Sequence, residues 1–325
     1  MKNVLVTGAD GFIGSHLCEL LVSRGFSVRA LVAYNFRGSN GWLDSVGIKH
    51  QLQIVPGDVR DPYFCESLVD GIDTVFHLAA LIGIPYSYSA PDSYIQTNVI
   101  GTHNICRACL KSTVKTLVVT STSEVYGTAK YVPIDEDHPL QAQSPYSASK
   151  IAADAVALSY HMSFNLPVVI ARPFNTFGPR QSSRAIIPTI ISQLLDSGRL
   201  RLGDLTPTRD LNYVTDTCAG FLALVGNEKL LGQCVNICSN TEVSMSAVVE
   251  RLGRIIGVEP TAELDPQRIR PERSEVKRLW GDNSKLLSFT GHQNSVSLDE
   301  GLRATVDWFK GLRDKAAYDA KRYYV

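Results

Sequence analysis

Tyr146 and Lys150 stand four residues apart in Ser144-Pro145-Tyr146-Ser147-Ala148-Ser149-Lys150. The segment reads as the opening of a helix, which puts both side chains on one face. A phenol ionises near pH 10, so a tyrosine acting as a base at neutral pH must offset roughly 3 units, or about 4 kcal/mol. A neighbouring ammonium supplies part of that by stabilising the phenolate. The pair suits proton removal from an alcohol whose carbon loses hydride in the same step. A second segment, Ser121-Thr122-Ser123-Glu124-Val125-Tyr126-Gly127, follows an apolar run. Thr122 in it can hydrogen-bond the alcohol oxygen.

Hydride transfer needs an acceptor, and the N-terminus has a place for one. Thr7-Gly8-Ala9-Asp10-Gly11-Phe12-Ile13-Gly14 runs from an apolar strand into a helix pattern. Glycines at 8, 11 and 14 permit a tight turn and close approach of backbone N–H groups to a pyrophosphate at the helix N-terminus. Asp10, Phe12 and Ile13 belong to the same expected cofactor contact, and the cofactor is NAD(P). The second strand ends Leu31-Val32-Ala33-Tyr34-Asn35 without the acid that grips a ribose 2′-hydroxyl, and Arg37 follows. An arginine there can pair with a 2′-phosphate, which tips the expectation toward NADP over NAD. Asp58, in Gly57-Asp58-Val59 at the end of the third strand, is placed for the adenine amino group.

These segments need strands to carry them and helices to cover the strands. Residues 4–7, 27–32, 53–55, 74–78, 116–120 and 168–171 read as short apolar strands. Helical patterns at 15–23, 91–111 and 146–164 lie between most of them. Such alternation implies right-handed crossovers and an α/β fold, a Rossmann-like doubly wound parallel sheet. Residues 1–172 are expected to form the NAD(P)-binding Rossmann domain. Residues 173–325, broken by Pro173, Pro179, Pro188, Pro207, Pro260, Pro266 and Pro271, are expected to form a smaller substrate-binding lobe interleaved with the last strands. The stretch after Trp308, with Tyr318, Tyr323 and Tyr324, reads as a loose helix or a partner contact.

Composition narrows the setting. Lys plus Arg (32) equal Asp plus Glu (32), so no global field draws in nucleic acid or an anionic membrane. No apolar run approaches the roughly 20 residues of a membrane helix, and the N-terminus lacks a signal-peptide pattern. Seven scattered cysteines suit reduced thiols and a cytoplasmic protein. Cys106 and Cys109 form a CxxC inside a helical pattern with no second Cys/His pair nearby, which reads as core packing and not as a metal or redox site.

Together the motifs resemble the extended short-chain dehydrogenases/reductases, in the nucleotide-sugar epimerase/dehydratase group. The resemblance covers nearly the whole chain. It rests on the glycine turn, His77-Leu78-Ala79-Ala80, residues 121–127, Tyr146 to Lys150, Arg172-Pro173-Phe174-Asn175, Gly178-Pro179-Arg180 and Arg209-Asp210. It implies that Val59, Leu78, Ala79 and Ala80 also line the cofactor and that the substrate is a nucleotide sugar. Simple 4-epimerases of the group usually have no acid at the position of Glu124, whereas its 4,6-dehydratases carry Thr-Asp-Glu or Thr-Ser-Glu. Here the triplet is Thr122-Ser123-Glu124. Oxidation of C4 acidifies the C5 proton, which Glu124 can then remove as general base. Ser123 stands where other members have an acid; it relays a proton, or Glu124 serves both roles. UDP-glucuronate decarboxylases share Thr-Ser-Glu, and 5,6-dehydration stays open as well.

By the same resemblance, Asn175, Arg209 and Arg270 would hold the nucleotide diphosphate, for which guanidinium forks are well shaped. The segments 80–88 and 126–134 are similar to those of dehydratases of the legionaminic acid type, which act on UDP- or GDP-N-acetylglucosamine. Ile84 and Tyr88 would then lie over the hexose. The helical stretches 91–111 and 146–164 would pair with their symmetry copies in a homodimer.

Overall fold

The computed structural model describes residues 2–312 and residue 318. Tyr323 and Tyr324, counted above in an aromatic tail, lie outside the described residues. Six strands come in the order expected: β1 (Asn3–Thr7), β2 (Ser27–Ala33), β3 (Leu52–Gly57), β4 (Thr74–His77), β5 (Thr116–Thr120) and β6 (Val168–Pro173). A seventh, Cys234–Ile237, returns from the second half of the chain to pair with β6. The sheet is parallel throughout, and from one edge it runs Cys234–Ile237, β6, β5, β4, β1, β2, β3. The sequence therefore passes outward from β1 through β2 to β3, then restarts on the other side at β4. That reversal sets a crevice at the C-terminal ends of β1 and β4.

Helices α1 (Phe12–Ser23), α2 (Pro62–Leu68), α3 (Ile84–Ser89), α4 (Pro91–Tyr94), α5 (Gly101–Leu110) and α6 (Pro145–Phe164) connect the strands or flank them. Alternate strand residues feed two cores. Val4, Val6, Ala30, Phe76 and Val118 pack toward α1. Leu5, Leu31, Val75, Leu117 and Ile170 pack toward α2, α5 and α6. Both faces are covered, which is why the strands are apolar at nearly every position. Cys106 and Cys109 lie in the second core as free thiols, and burial pushes Cys106 up to about 12, so both are inert packing groups.

The stretch expected as one helix over 91–111 is interrupted. Residues Ile95–Ile100 form a π turn between α4 and α5. The wider turn carries Asn98, whose side chain bonds Leu81 N and O and the Ser149 hydroxyl of α6. This polar staple ties the loop after β4 to α6. A third core, with Phe177, Ile190, Leu194, Leu200, Leu252, Val306 and Phe309, is built within the second half of the chain. Tyr318 closes one side of it, edge-on to Phe309 at 4.7 Å and bonded to Gln181 O.

Candidate active site

The helix α6 begins where the chemistry requires. Ser144 caps it, accepting from Ser147 N, while Ser147 Oγ accepts from Ser144 N. Pro145 at the first turn needs no N–H partner. The cap fixes Tyr146 in the first turn and Lys150 one turn on, and both are buried. Tyr146 stacks edge-on to Tyr94 at 6.2 Å. Burial drives its phenol well above the ordinary value; the Thr122 hydroxyl pulls the other way and the Glu124 charge reinforces the rise. Lys150 Nζ donates to Thr120 O at 2.6 Å, at the last residue of β5. Its ammonium is pulled down to about 8 by burial, against the opposing charge of Asp154.

Beyond β5 the chain turns into a short 3-10 helix, Ser123–Tyr126, capped by Thr122, whose Oγ1 accepts from Glu124 N at 3.2 Å. That cap aligns Thr122 beside the phenol and holds Glu124 at the same corner. Thr122, Ser123 and Glu124 are all buried, with Glu124 8 % exposed. The expected redox pair and the Thr-Ser-Glu corner thus meet at one place, the C-terminal end of β5.

The glycine turn is as close-packed as its sequence suggests. Gly8 has φ +67°, and a Cβ on it would stand 2.9 Å from Ala79 N. A Cβ on Gly14 would meet Gly8 O at 2.2 Å, which is why α1 can press against β1 only with glycine there. Gly11 is the N-cap of α1 and has no side-chain cap bond, which leaves the helix N-terminus of the kind that can receive a phosphate. Facing the turn, His77 Nδ1 lies 2.9 Å from Thr7 Oγ1 and Nε2 lies 3.2 Å from Thr102 Oγ1. Thr102 already donates to Asn98 O, so it accepts from Nε2–H. Thr7 then donates to Nδ1 and accepts from Leu78 N and Ala79 N. Burial holds His77 neutral, down to about 3. The chain locks Leu78 and Ala79 against the glycine turn, and Ala80 follows them half-buried.

The remaining cofactor-side residues have other engagements. Asp10 accepts from Ala33 N at the end of β2, its backbone carbonyl accepts from Trp42 N, and burial raises its carboxyl. Phe12 and Ile13 are half-buried against the α1-side core. Val59 is a core residue under α5, touching the place where Gly101 lacks a side chain. Asp58 is forked by Arg60 at 2.5 Å on an exposed surface. Arg37 is exposed and lies 5.5 Å from the Phe36 ring.

The second half of the chain closes the cleft. Asn175 lies on a short strand, Asn175–Phe177, paired with Leu211–Tyr213, and its Oδ1 is buried with no hydrogen-bond partner among the described residues. Arg209, 8 % exposed, sits 3.2 Å from Glu275 and close enough to Glu124 that both acids oppose the lowering of its pKa by burial. Arg270 Nη1 is 3.6 Å from the same Glu275 oxygen and makes no hydrogen bond among the described residues. The unbonded Arg270 donor suits an anionic ligand, and the unbonded Asn175 acceptor suits a ligand hydroxyl. Ile84 is half-buried at the start of α3, and the Tyr88 hydroxyl meets Ser274 Oγ at 2.6 Å. Sequence reasoning passed over Glu275, Ser274 and the His77 chain. Glu275 sat in plain view beside Arg270, but nothing local marked it as the shared partner of two arginines.

Three comparisons bear on this site. Residues 5–305 match the family model described as GDP-mannose 4,6 dehydratase. A dTDP-glucose 4,6-dehydratase of Streptomyces antibioticus is 33% identical over 316 residues, covering 96% of this chain and 93% of that protein. Among solved structures, dTDP-glucose 4,6-dehydratase DesIV from Streptomyces venezuelae, a double mutant with NAD bound, superposes with a TM-score of 0.87 at 28% identity, covering 97% of this chain and 98% of that one. UDP-glucuronic acid 4-epimerase from Bacillus cereus, with UDP-glucuronic acid and NAD, superposes with a TM-score of 0.85 at 30% identity, covering 95% and 99%.

Proposed function

Because the chain belongs to the GDP-mannose 4,6-dehydratase family of extended short-chain dehydrogenases/reductases, we propose that it is an NAD(P)-dependent nucleotide-sugar 4,6-dehydratase. We take its substrate to be UDP- or GDP-N-acetylglucosamine. The observation that carries this reading is Glu124, a carboxylate held at the Thr122 corner beside Tyr146 and facing Arg209. Epimerisation at C4 has no use for a base there; elimination across C5 and C6 does.

A bound nicotinamide supplies the hydride acceptor for C4 and the hydride donor for C6. Tyr146, as phenolate beside the Lys150 ammonium, takes the C4 hydroxyl proton, while Thr122 bonds the oxygen that becomes the ketone. Glu124 removes the C5 proton, made acidic by that ketone. The C6–O bond breaks, and the protonated Glu124 is the proton source that lets hydroxide leave as water, with Ser123 as relay. A solvent-derived proton added at C5 and hydride at C6 complete the 4-keto-6-deoxy sugar. Each positioned acid–base group is worth about 10²–10⁴ in rate. Asn175, Arg209 and Arg270 bind the diphosphate, and Ile84 and Tyr88 lie over the hexose. On this reading residues 1–172 hold the cofactor and 173–325 the sugar nucleotide.

Three further assignments belong to the proposal. β2 itself ends without an acid and Arg37 follows as the counter-charge for a 2′-phosphate; NADP and NAD affinities in Arg37→Ala and wild type test this. Ile95, Ile100, Leu110, Met162 and Phe164 stand exposed on the α4–α5 and α6 helices, which supports a homodimer through those helices; a monomer mass by light scattering at micromolar concentration refutes it. Among the described residues no helix is long and apolar enough to cross a membrane, and we place the protein in the cytoplasm.

The deciding experiment is mass spectrometry of products in D₂O from UDP- and GDP-N-acetylglucosamine, dTDP-glucose and UDP-glucuronate. Loss of one water with one deuterium gained supports 4,6-dehydration. Loss of water without deuterium indicates a 5,6-dehydratase, loss of carbon dioxide a decarboxylase, and an unchanged mass an epimerase.

A further inference from the structure

A fully buried ion pair lies directly behind the catalytic helix, and the chemistry just described does not use it. Asp154 is four residues beyond Lys150 on α6, on the same face. Its Oδ2 accepts from Ser121 Oγ at 2.8 Å and from Arg172 Nη2 and Nε at 3.2 and 3.3 Å. Side chains of the pair are only 3 % and 4 % exposed. Arg172 lies over the Tyr126 ring at 5.1 Å and donates to its hydroxyl, which donates to Asn236 on the seventh strand. The second carboxylate oxygen of Asp154 is buried with no hydrogen-bond partner among the described residues.

Such a pair adds little to stability, since well-packed apolar residues of similar volume commonly do as well or better. Its geometry is better suited to electrostatics. Two guanidinium bonds and one hydroxyl bond on a single oxygen favour the Asp154 carboxylate, against a burial that on balance raises its pKa. Its other oxygen makes no hydrogen bond among the described residues, and Asp154 stands one helical turn from Lys150.

We propose that Asp154 is a positioning residue whose charge, held in place by Arg172 and Ser121, keeps Lys150 an ammonium while the redox step runs. The assignment rests on the role given to Lys150 above. Besides Asp154, the groups placed near Lys150 among the described residues are the Thr120 carbonyl to which it donates, the neutral His77 and, one turn back on α6, the Tyr146 phenol, with Arg172 beyond Asp154. Glu124 lies in the field of Arg209, and Asp154, one helical turn on from Lys150, is the carboxylate whose charge opposes the lowering of the Lys150 ammonium's pKa. Through Ser121, the same carboxylate also anchors the residue preceding Thr122.

The test reads Lys150 directly. Protein carrying lysine labelled at Cε is titrated by NMR, with the Lys150 signal assigned by its loss in Lys150→Arg. In Asp154→Asn the midpoint should fall by roughly one pH unit or more, the size of effect a close opposite charge exerts. Asp154→Glu should restore it. An unchanged midpoint in folded Asp154→Asn overturns the proposal. Should that variant not fold, Asp154→Asn with Arg172→Met removes both charges of the pair and is titrated against Arg172→Met alone: a lowered midpoint supports the proposal and an unchanged one overturns it. A merely structural Asp154 would alter thermal stability and leave the Lys150 midpoint where it was. The alkaline limb of kcat is followed in parallel. If the Lys150 midpoint moves and that limb does not, the counter-charge stands and the catalytic role of Lys150 fails.

Discussion

Two glycines three residues apart should separate the packing of the cofactor turn from its binding. A Cβ on Gly14 would sit 2.2 Å from Gly8 O, where ordinary contact begins at 3.4 Å, so about 1.2 Å (3.4 − 2.2) must open. The atoms in the way are backbone. Gly8 O accepts from Gly11 N, and Gly8 is itself wedged against Ala79, so neither side gives cheaply. Gly14→Ala should destabilise the fold by about 1–3 kcal/mol, the usual cost of overpacking, and weaken NAD(P) binding through the displaced turn. Gly11 is different. It is exposed at the N-cap, has φ −81°, and a Cβ on it meets only Gly8 O at 3.3 Å. Gly11→Ala should change stability by about 1 kcal/mol or less, yet its methyl projects where backbone and pyrophosphate must touch. We expect at least a roughly tenfold loss of cofactor affinity, about 1.4 kcal/mol. Calorimetric melting and isothermal titration with NAD and NADP read the two effects apart. Wild-type melting of Gly14→Ala would refute the packing argument. Wild-type affinity of Gly11→Ala for both cofactors would mean that the pyrophosphate does not lie on this turn.

Glu124→Gln should keep cofactor and substrate affinity but lose about 10²–10⁴ in dehydration rate; wild-type incorporation of deuterium at C5 would remove Glu124 as the base. Arg270→Ala should raise KM with less effect on kcat, since diphosphate contacts are made in ground and transition states alike; an unchanged KM refutes that contact. Acid should destabilise the fold through His77, whose folded pKa of about 3 lies below the unfolded 6.5. The unfolded chain binds the proton first, so stability falls as pH drops from 6.5 toward 3, by about 5 kcal/mol at most. Denaturant titrations at several pH values should show a shallower fall in His77→Asn, and an identical slope would refute the assignment. Product turnover should fade above about pH 8 as Lys150 loses its proton, and an alkaline limb that is unmoved in Lys150→Arg would point to another group.

Most of the proposed reactive set could be named from the sequence because its members are neighbours along the chain. The four-residue step from Tyr146 to Lys150 needs only a helix, and the Thr122–Glu124 corner needs only the end of a strand. The glycine turn is likewise complete in eight residues. The parallel sheet followed from apolar strands alternating with helical patterns, since only a sheet covered on both faces tolerates them. What folding alone decided are the pairings between distant segments. Glu275 shares its carboxylate between Arg209 and Arg270, His77 reads Thr7 and Thr102, Tyr88 clasps Ser274, and Asp154 meets Arg172 and Ser121. No periodicity marks such partners, because a buried charge takes whichever group the packing of other elements brings within about 3 Å. The same reason governs the seventh strand and the π turn at Asn98. Each is fixed by what it must fit against, and so appears only once the rest of the chain is in place.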